Sequence, residues 1–365
     1  MDKKIRVGVL FGGQSPEHEV SLTSAKNVVD AMDKDKYDIV LIGIDKTGEW
    51  HVRDAYNYLM HADDAKRIHL NGEKQSVALV PKEQGNQLVS LSEKGIDQPL
   101  DIIFPVLHGA FGEDGTVQGL LKLAGIPFVG ASVLGSAIGM DKDVMKRLLR
   151  DAQIPTAKFL CLNRATIKHF DFESIKQQIG LPFFVKPANT GSSVGISKVK
   201  NEADFSKAIE DAFQYDHKIL IEEYISGREI ECAVLGNEHP SASLPGEIIP
   251  QHEFYSYEAK YIDENGALLK VPADLSEEIV AQIQALAIKA FQVLCCEGMC
   301  RVDFFLRNQT EVIVNEINTI PGFTKISMYP KLWEASGLPY SELINCLIQL
   351  GIERFQKEKN LKNTF

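Results

Sequence analysis

The chain has 365 residues, 44% of them apolar and 24% charged, with a formal net charge of −11. That length predicts two or three domains, no apolar run is long enough to span a bilayer, and the acidic balance disfavours a nucleic-acid binder. The six cysteines (Cys161, Cys232, Cys295, Cys296, Cys300, Cys346) lack C-x-x-C spacing and sit in apolar segments, which reads as buried reduced thiols.

The start, "MDKKIRVGVLFGG", has a strand-length apolar run ending in a glycine pair and not at a signal-peptidase site, so a cytoplasmic location is expected. Ile5 to Phe11 predicts a buried strand, Gly12-Gly13-Gln14-Ser15 a turn, and a helix begins between Glu17 and Ser21 and runs to about Met32. Strand, glycine turn and helix open an α/β nucleotide fold, and the free N–H groups at such a helix start suit an anion or polar substrate. "GGQS" lacks the third glycine of the dinucleotide fingerprint, so a nicotinamide role is weakly supported.

Strands follow at Tyr37 to Ile44, Asp101 to Pro105 and Pro127 to Val129, with a helix at Thr116 to Leu123; the polar stretch Arg53 to Gln98 reads as a surface insertion. "HGAFGEDGT" (His108 to Thr116) crowds glycine, histidine and acids at a strand end, where open α/β sheets place ligands. His108 reads equally as a substrate contact and as a core or capping histidine.

A second unit begins at Met140-Asp141-Lys142, with Asp141 as cap and Lys142 in the first turn of a helix. A strand (Thr156 to Leu162), a helix (Phe172 to Ile179) and a strand (Pro182 to Pro187) deliver Lys186 into "PANTGSSVGI". The small residues Asn189 to Gly195 let backbone N–H groups approach a ligand, and a lysine on the entering strand is a point charge for phosphate. Ordinary hairpins use the same residues; Lys142 and Lys186 favour the phosphate reading.

After a helix at Glu202 to Phe213, "KILIEEYI" and "EIECAVLG" place Glu222, Glu223 and Glu229 at a strand crossing, either an adenosine site or a charged turn. The segment from Pro245 to Ala267 is long, aromatic and aperiodic, with Phe254, Tyr255, Tyr257 and Tyr261, and reads as a lid. A helix from Ser276 to Leu294 and a last helix from Tyr340 to about Lys357 flank a hairpin. In that hairpin, "VDFFL" and "EVIVNEI" are joined by Arg307-Asn308-Gln309-Thr310. Glu316 and Asn318 are two apart and share a strand face, opposite Asp303 and beside Arg301. Such oxygen donors suit a hard cation with room left for phosphates.

Lysines by a Gly/Ser loop, an acidic crossing and hard-metal ligands make a nucleoside triphosphate site without a Walker A or protein-kinase motif set. The segments "GGQSPEHEVS", "HGAFGEDGT", "MDK", "VKPANTGSSVGISKV", "LIEEYISGREIECAVLG", "YEAKY", "CRVDFF" and "NEINTIPGFTKISMYP" resemble, in order and spacing, those of the ATP-grasp superfamily and of its D-alanine–D-alanine ligases. The resemblance covers essentially the whole chain.

It implies a three-domain ATP-grasp ligase of mixed α/β and α+β class: an N-terminal Rossmann-like domain (1–139), a central domain (140–224) and a C-terminal domain (225–365) with a lid at 245–267. It implies ATP as co-substrate, Mg2+ or Mn2+ as two ions on Asp303, Glu316 and Asn318, and phosphate contacts from Lys142, Lys186 and Lys260. Glu222, Glu223, Ile225 and Glu229 match the adenosine site; Arg301 and the Gly322 N–H match oxyanion donors. Glu17, linked through Ser192 and Tyr261, matches the acid that holds the first D-alanine, His108 joins the substrate contacts, and Ser327 and Met328 match the pair that anchors the second carboxylate.

Tyr261 in "EAKY" favours an amine over D-lactate as nucleophile, and Ile326 departs from a histidine frequent in relatives. The expected assembly is a homodimer. The alternatives are a ligase for D-lactate or another amino acid, or a nucleotide-binding regulator without turnover.

Overall fold

The computed structural model describes residues 3–53, 58–62, 64, 67–72, 75–81, 86–91, 99–250 and 267–362. The chain opens with β1 (Ile5–Gly12), α1 (His18–Ala31), β2 (Tyr37–Ile44), β3 (Trp50–Arg53), β4 (Leu59–Met60), β5 (His69–Leu70), β6 (Gln75–Leu79), β7 (Leu88–Ser90) and β8 (Ile102–Val106). β1 lies parallel between β2 and β8, buried from Val7 onward, as a strand covered on both faces requires.

Residues 53–98 are more than a surface insertion: β6 pairs with β3 and β7 with β6, which completes a sheet in the order β7-β6-β3-β2-β1-β8 and buries Val77 and Leu88. Strands of three to five residues are too short to establish a period in sequence. The strand expected at Pro127 to Val129 is a single parallel bridge, Ile103 to Phe128. Pro127 has a carbonyl to offer Ile103 N at 2.8 Å but no N–H to extend a ladder.

Next come α2 (Thr116–Leu123), α3 (Val133–Met140), α4 (Lys142–Asp151), β9 (Phe159–Asn163), α5 (Phe172–Ile179), β10 (Phe183–Pro187), β11 (Ser197–Val199), α6 (Glu202–Ala212) and β12 (Lys218–Glu223). Asp141 caps α4, accepting from Asp143 N and Val144 N at 3.1 Å each. β9 to β12 form an antiparallel sheet in the order β11-β10-β12-β9, with Phe172, Phe183 and Phe205 in its core.

The last part holds β13 (Arg228–Gly236), β14 (Ser241–Ala242), β15 (Gly246–Pro250), β16 (Ala267–Lys270), α7 (Glu277–Val293), β17 (Gly298–Arg307), β18 (Glu311–Asn318), α8 (Met328–Ala335) and α9 (Tyr340–Lys359). The sheet runs β16-β15-β13-β17-β18, with β14 on β13. α7 buries Ile279, Ile283, Ala287, Ala290 and Phe291, one face at helical spacing, against this sheet. The two ends of the expected lid are paired strands, β15 and β16. The remainder, with Phe254, Tyr255, Tyr257, Lys260 and Tyr261, lies outside the described residues.

Two shared cores tie the sheets together. Leu343, Ile344 and Leu347 of α9 pack with Val7, Val9 and Phe104 of the first sheet. Met145 and Leu149 of α4 pack with Ile283, Phe291, Val302 and Val314. All six cysteines are free, but only Cys232, Cys296 and Cys300 are buried as expected; Cys161 and Cys346 are half-buried, and Cys295 is exposed because it follows the end of α7 in a left-handed turn (φ 54°). Among the described residues no helix is long and apolar enough to cross a membrane.

Candidate active site

The β17–β18 register sets Arg301 opposite Asn318 and Asp303 opposite Glu316, so the period of two puts all four side chains on one face. Arg301 donates Nε and Nη2 to the two Asp303 oxygens at 2.7 Å each, a bidentate pair. Arg301 Nε also lies 2.9 Å from Glu231 Oε2 on β13, and Asn318 Nδ2 donates to Asp303 Oδ2 at 3.0 Å. Glu316 Oε2 is 3.8 Å from Lys142 Nζ. The ladder steps from the Asp303–Glu316 pair to the Phe304–Val314 pair, so Asn315 is an extra residue in a bulge. Two carboxylates and an amide oxygen are donors that fit a hard divalent cation.

Two cavities flank this face. One, of about 140 Å3, is lined by Glu17, His108, Glu113, Arg301, Gly322 and Ser327. The other, of about 500 Å3, is lined by Lys142, Lys186, Glu222, Glu223, Ile225 and Glu229. Gly191, Ser192, Glu229 and Glu316 border both.

In the smaller cavity Glu17 sits buried just before α1, with its backbone N–H donating to Ser15 Oγ at 3.0 Å and its Oε1 accepting from Ser192. Gly109 has φ +77°, and a β-carbon there would lie 2.8 Å from Glu17 Oε2, so only glycine fits beside that carboxylate. His108 is buried, its Nδ1 3.2 Å from Ile320 O and its Nε2 3.2 Å from Ser24 Oγ. Burial pulls its pKa down although the Glu17 charge pulls the other way. A β-carbon at Gly322 would lie 2.6 Å from Ser327 Oγ, and that hydroxyl accepts from Thr324 N at 3.0 Å. Met328 is the first residue of α8, and Ile326 stands on the cavity rim, 41% exposed.

In the larger cavity Lys142 Nζ donates to Thr190 O at 2.7 Å, which ties α4 to the Gly/Ser loop. Ser192 and Ser193 have φ of 52° and 61°, successive left-handed residues of a kind that clusters where backbone meets ligand. Glu222, expected at adenosine, gives Oε1 to Lys186 Nζ at 2.6 Å and has Oε2 2.8 Å from Lys146 Nζ. Glu223 lies 3.2 Å from Arg307 Nη1 and accepts from Lys158 N at 3.2 Å. Lys260, expected at the phosphates, and Tyr261, expected in the link from Glu17 through Ser192, lie outside the described residues.

Three charged residues of the site escaped sequence reasoning. Glu113 accepts from Gly109 N at 2.7 Å and Ile320 N at 3.4 Å; burial, reinforced by the Glu17 charge, pushes its carboxyl up to about 8. Lys146 is one helical turn beyond Lys142, and Glu231 follows Glu229 on the same face of β13; those two spacings were the available signals.

Residues 6–131 match the D-ala D-ala ligase N-terminus family and residues 148–349 the D-ala D-ala ligase C-terminus family. The chain is 59% identical over 362 residues to a D-alanine–D-alanine ligase of Oceanobacillus iheyensis, covering 99% of each. It is 54% identical over 363 residues to D-alanine–D-alanine ligase A of Escherichia coli K12, covering 99% of this chain and 100% of the relative. The solved D-alanine-D-alanine ligase from Coxiella burnetii superposes with a TM-score of 0.84 at 42% identity, over 98% of this chain and 96% of that one. The VanG D-Ala:D-Ser ligase from Enterococcus faecalis superposes at 0.83 and 35%, over 96% and 100%. Paired cavities on a metal-competent hairpin, two matching family regions and relatives more than half identical along almost the whole chain have one reading: the chain belongs to the D-alanine–D-alanine ligase family.

Proposed function

We propose that this protein joins two D-alanine molecules into D-alanyl-D-alanine, a peptidoglycan precursor, while converting ATP to ADP and phosphate. The observation that carries the reading is the shared wall: the cavity of Glu17, Arg301 and Ser327 and the cavity of Lys142 and Lys186 meet at Ser192 and Glu316. A carboxylate is a poor electrophile. Transfer of the γ-phosphoryl group to a carboxylate oxygen, with ADP leaving, gives an acylphosphate; the second amine then attacks the acyl carbon, phosphate departs and the surplus proton passes to solvent.

In this reading Glu17 receives the first substrate's ammonium, with His108 buried on the same cavity wall. Lys142, Lys186, the loop around Ser192 and Lys260 hold phosphates, and Tyr261 belongs with Ser192 to the link from Glu17; Glu222, Glu223, Ile225 and Glu229 border the adenosine. Arg301 and the Gly322 N–H face the tetrahedral oxyanion. Ser327 Oγ and the Met328 N–H, at the start of α8, hold the second carboxylate. Asp303, Glu316 and Asn318 would hold divalent cation, two Mg2+ or Mn2+ ions, which neutralises charge on the transferring phosphoryl group when bound.

The reading extends to domains at 1–139, 140–224 and 225–365, to a cytoplasmic location and to a homodimer through the first domain, the last tested by sedimentation. The activity test is phosphate release from Mg-ATP with D-alanine, beside L-alanine, D-alanine plus D-lactate and D-alanine plus D-serine, with products identified by mass. D-serine is included because of the likeness to the D-Ala:D-Ser ligase. Dipeptide from D-alanine alone is expected; release only with D-lactate or D-serine would move the second-substrate assignment, and silence in every arm would sink the reading.

A further inference from the structure

Lys146 is fully buried, yet it carries an ammonium group beside the nucleotide cavity. Its Nζ is 2.8 Å from Glu222 Oε2 and donates to Asn315 O at 3.1 Å and Thr156 Oγ1 at 3.2 Å. Asn315 is the bulged residue of β18, and the bulge takes its backbone out of the regular ladder. Two hydrogen bonds and one carboxylate contact surround Nζ, and the adjacent carboxylate favours its ammonium form. Burial pulls the Lys146 pKa down and Glu222 pushes it back.

The other Glu222 oxygen takes Lys186 Nζ at 2.6 Å, and Lys186, unlike Lys146, lines the cavity. One carboxylate is thus divided between two cations. The trio sums to one positive charge, with Lys186 and Glu222 on the cavity wall and Lys146 behind them. If Glu222 faced Lys186 alone, the pair would sum to zero, and phosphate would meet a cancelled charge.

We propose that Lys146 is a positioning residue: by holding Glu222 from behind, it leaves the Lys186 charge uncancelled for the phosphates of the nucleotide. The inference rests on the ATP reading above. It predicts a loss of affinity that depends on phosphate and not on the base, which a packing defect would not produce.

The test is binding of ADP by titration calorimetry and of adenosine by ligand-observed NMR, in Mg2+ buffer, to the full chain, to Lys146→Met and to Lys146→Met/Glu222→Gln, with a thermal melt of each. In Lys146→Met the ADP affinity should fall about tenfold or more, as loss of one nearby unit charge implies, while adenosine binding shifts by no more than about twofold. In the double variant Lys186 is again uncancelled, and the ratio of ADP to adenosine affinity should return to within about threefold of the parent. Equal weakening of both ligands in the single variant, or an unchanged ADP affinity there, overturns the proposal. Should the single variant not fold, the double variant decides: a ratio about tenfold or more below the parent overturns it. Failure of the parent chain to bind ADP or ATP would instead overturn the nucleotide reading, and this inference with it.

Discussion

Ser192 and Glu17, 175 residues apart in sequence, meet side chain to side chain, the serine hydroxyl donating to Glu17 Oε1. The contact joins the start of α1 to the Gly/Ser loop, and so joins the two cavities. Replacing Glu17 by Gln keeps an acceptor for Ser192 but removes the charge that, in the proposed reading, faces the substrate ammonium. We expect the KM of the first D-alanine to rise by about tenfold or more, on the scale of a lost charge-assisted contact of ~1.5–3 kcal/mol, with the KM for ATP nearly unchanged. Initial-rate kinetics separating the two alanine sites would show otherwise if Glu17 lies outside the site.

Arg301 has two duties that variants can separate. Arg301→Ala removes the proposed oxyanion donor and takes a guanidinium away from Glu231, whose side chain is 8% exposed. Turnover should fall by roughly 10²–10³, and stability by about 3–5 kcal/mol, the range for breaking a buried pair. Arg301→Lys keeps a cation for Glu231 but not the bidentate fork on Asp303. It should recover much of the stability and little of the turnover, as read from denaturant melts beside single-turnover rates.

Asp303→Asn and Glu316→Gln each remove a charged oxygen donor while preserving shape. The Mg2+ concentration for half-maximal activity should rise about tenfold or more, the scale seen even for groups behind a metal ligand. Mn2+ binding followed by electron paramagnetic resonance gives an independent reading. Mn2+ affinity unchanged in both variants would remove these residues from the metal set.

Glu113 makes stability depend on pH in a defined direction. Burial, with the Glu17 charge adding to it, raises its carboxyl from an ordinary 4.5 to about 8 in the folded chain. Between those values the folded state keeps a proton that the unfolded chain has released, so this contribution, complete below about 4.5, is lost as pH rises through about 8. Glu113→Gln, permanently neutral, should flatten that part of the profile while losing about 1 kcal/mol from one poorer hydrogen bond. Melts of both proteins from pH 5 to about 9 test the sign; parallel profiles would refute it.

Asp141→Ala should destabilise the protein by about 1 kcal/mol through the lost cap, since Asp141 accepts from Asp143 N and Val144 N. It also faces Lys218 Nζ, at 2.7 Å from Oδ1. Because Lys142 follows the cap directly, a weaker first turn should also raise the KM for ATP; a thermal melt and one ATP titration check both.

The hairpin face was legible in the sequence because its cause is local: a strand period of two puts residues 301, 303, 316 and 318 on one side once the short link closes. The helices at Thr116–Leu123 and Phe172–Ile179 and the strand at Tyr37–Ile44 were equally plain, since apolar periodicity and flanking caps or glycines lie within each segment. Ordered motifs along the whole chain carried the family.

Long-range pairing decided the rest. No spacing reveals that Glu222, a plausible nucleotide contact on β12, is held between Lys186 and the buried Lys146 of α4, because that pairing exists only after the helix packs against two sheets. The raised carboxyl of Glu113 depends in the same way on burial and on the distant Glu17, which together outweigh the opposing Ile320 N–H. Periodicity records which side of an element is buried; which charges are buried together, and at what electrostatic cost, is set where distant elements meet.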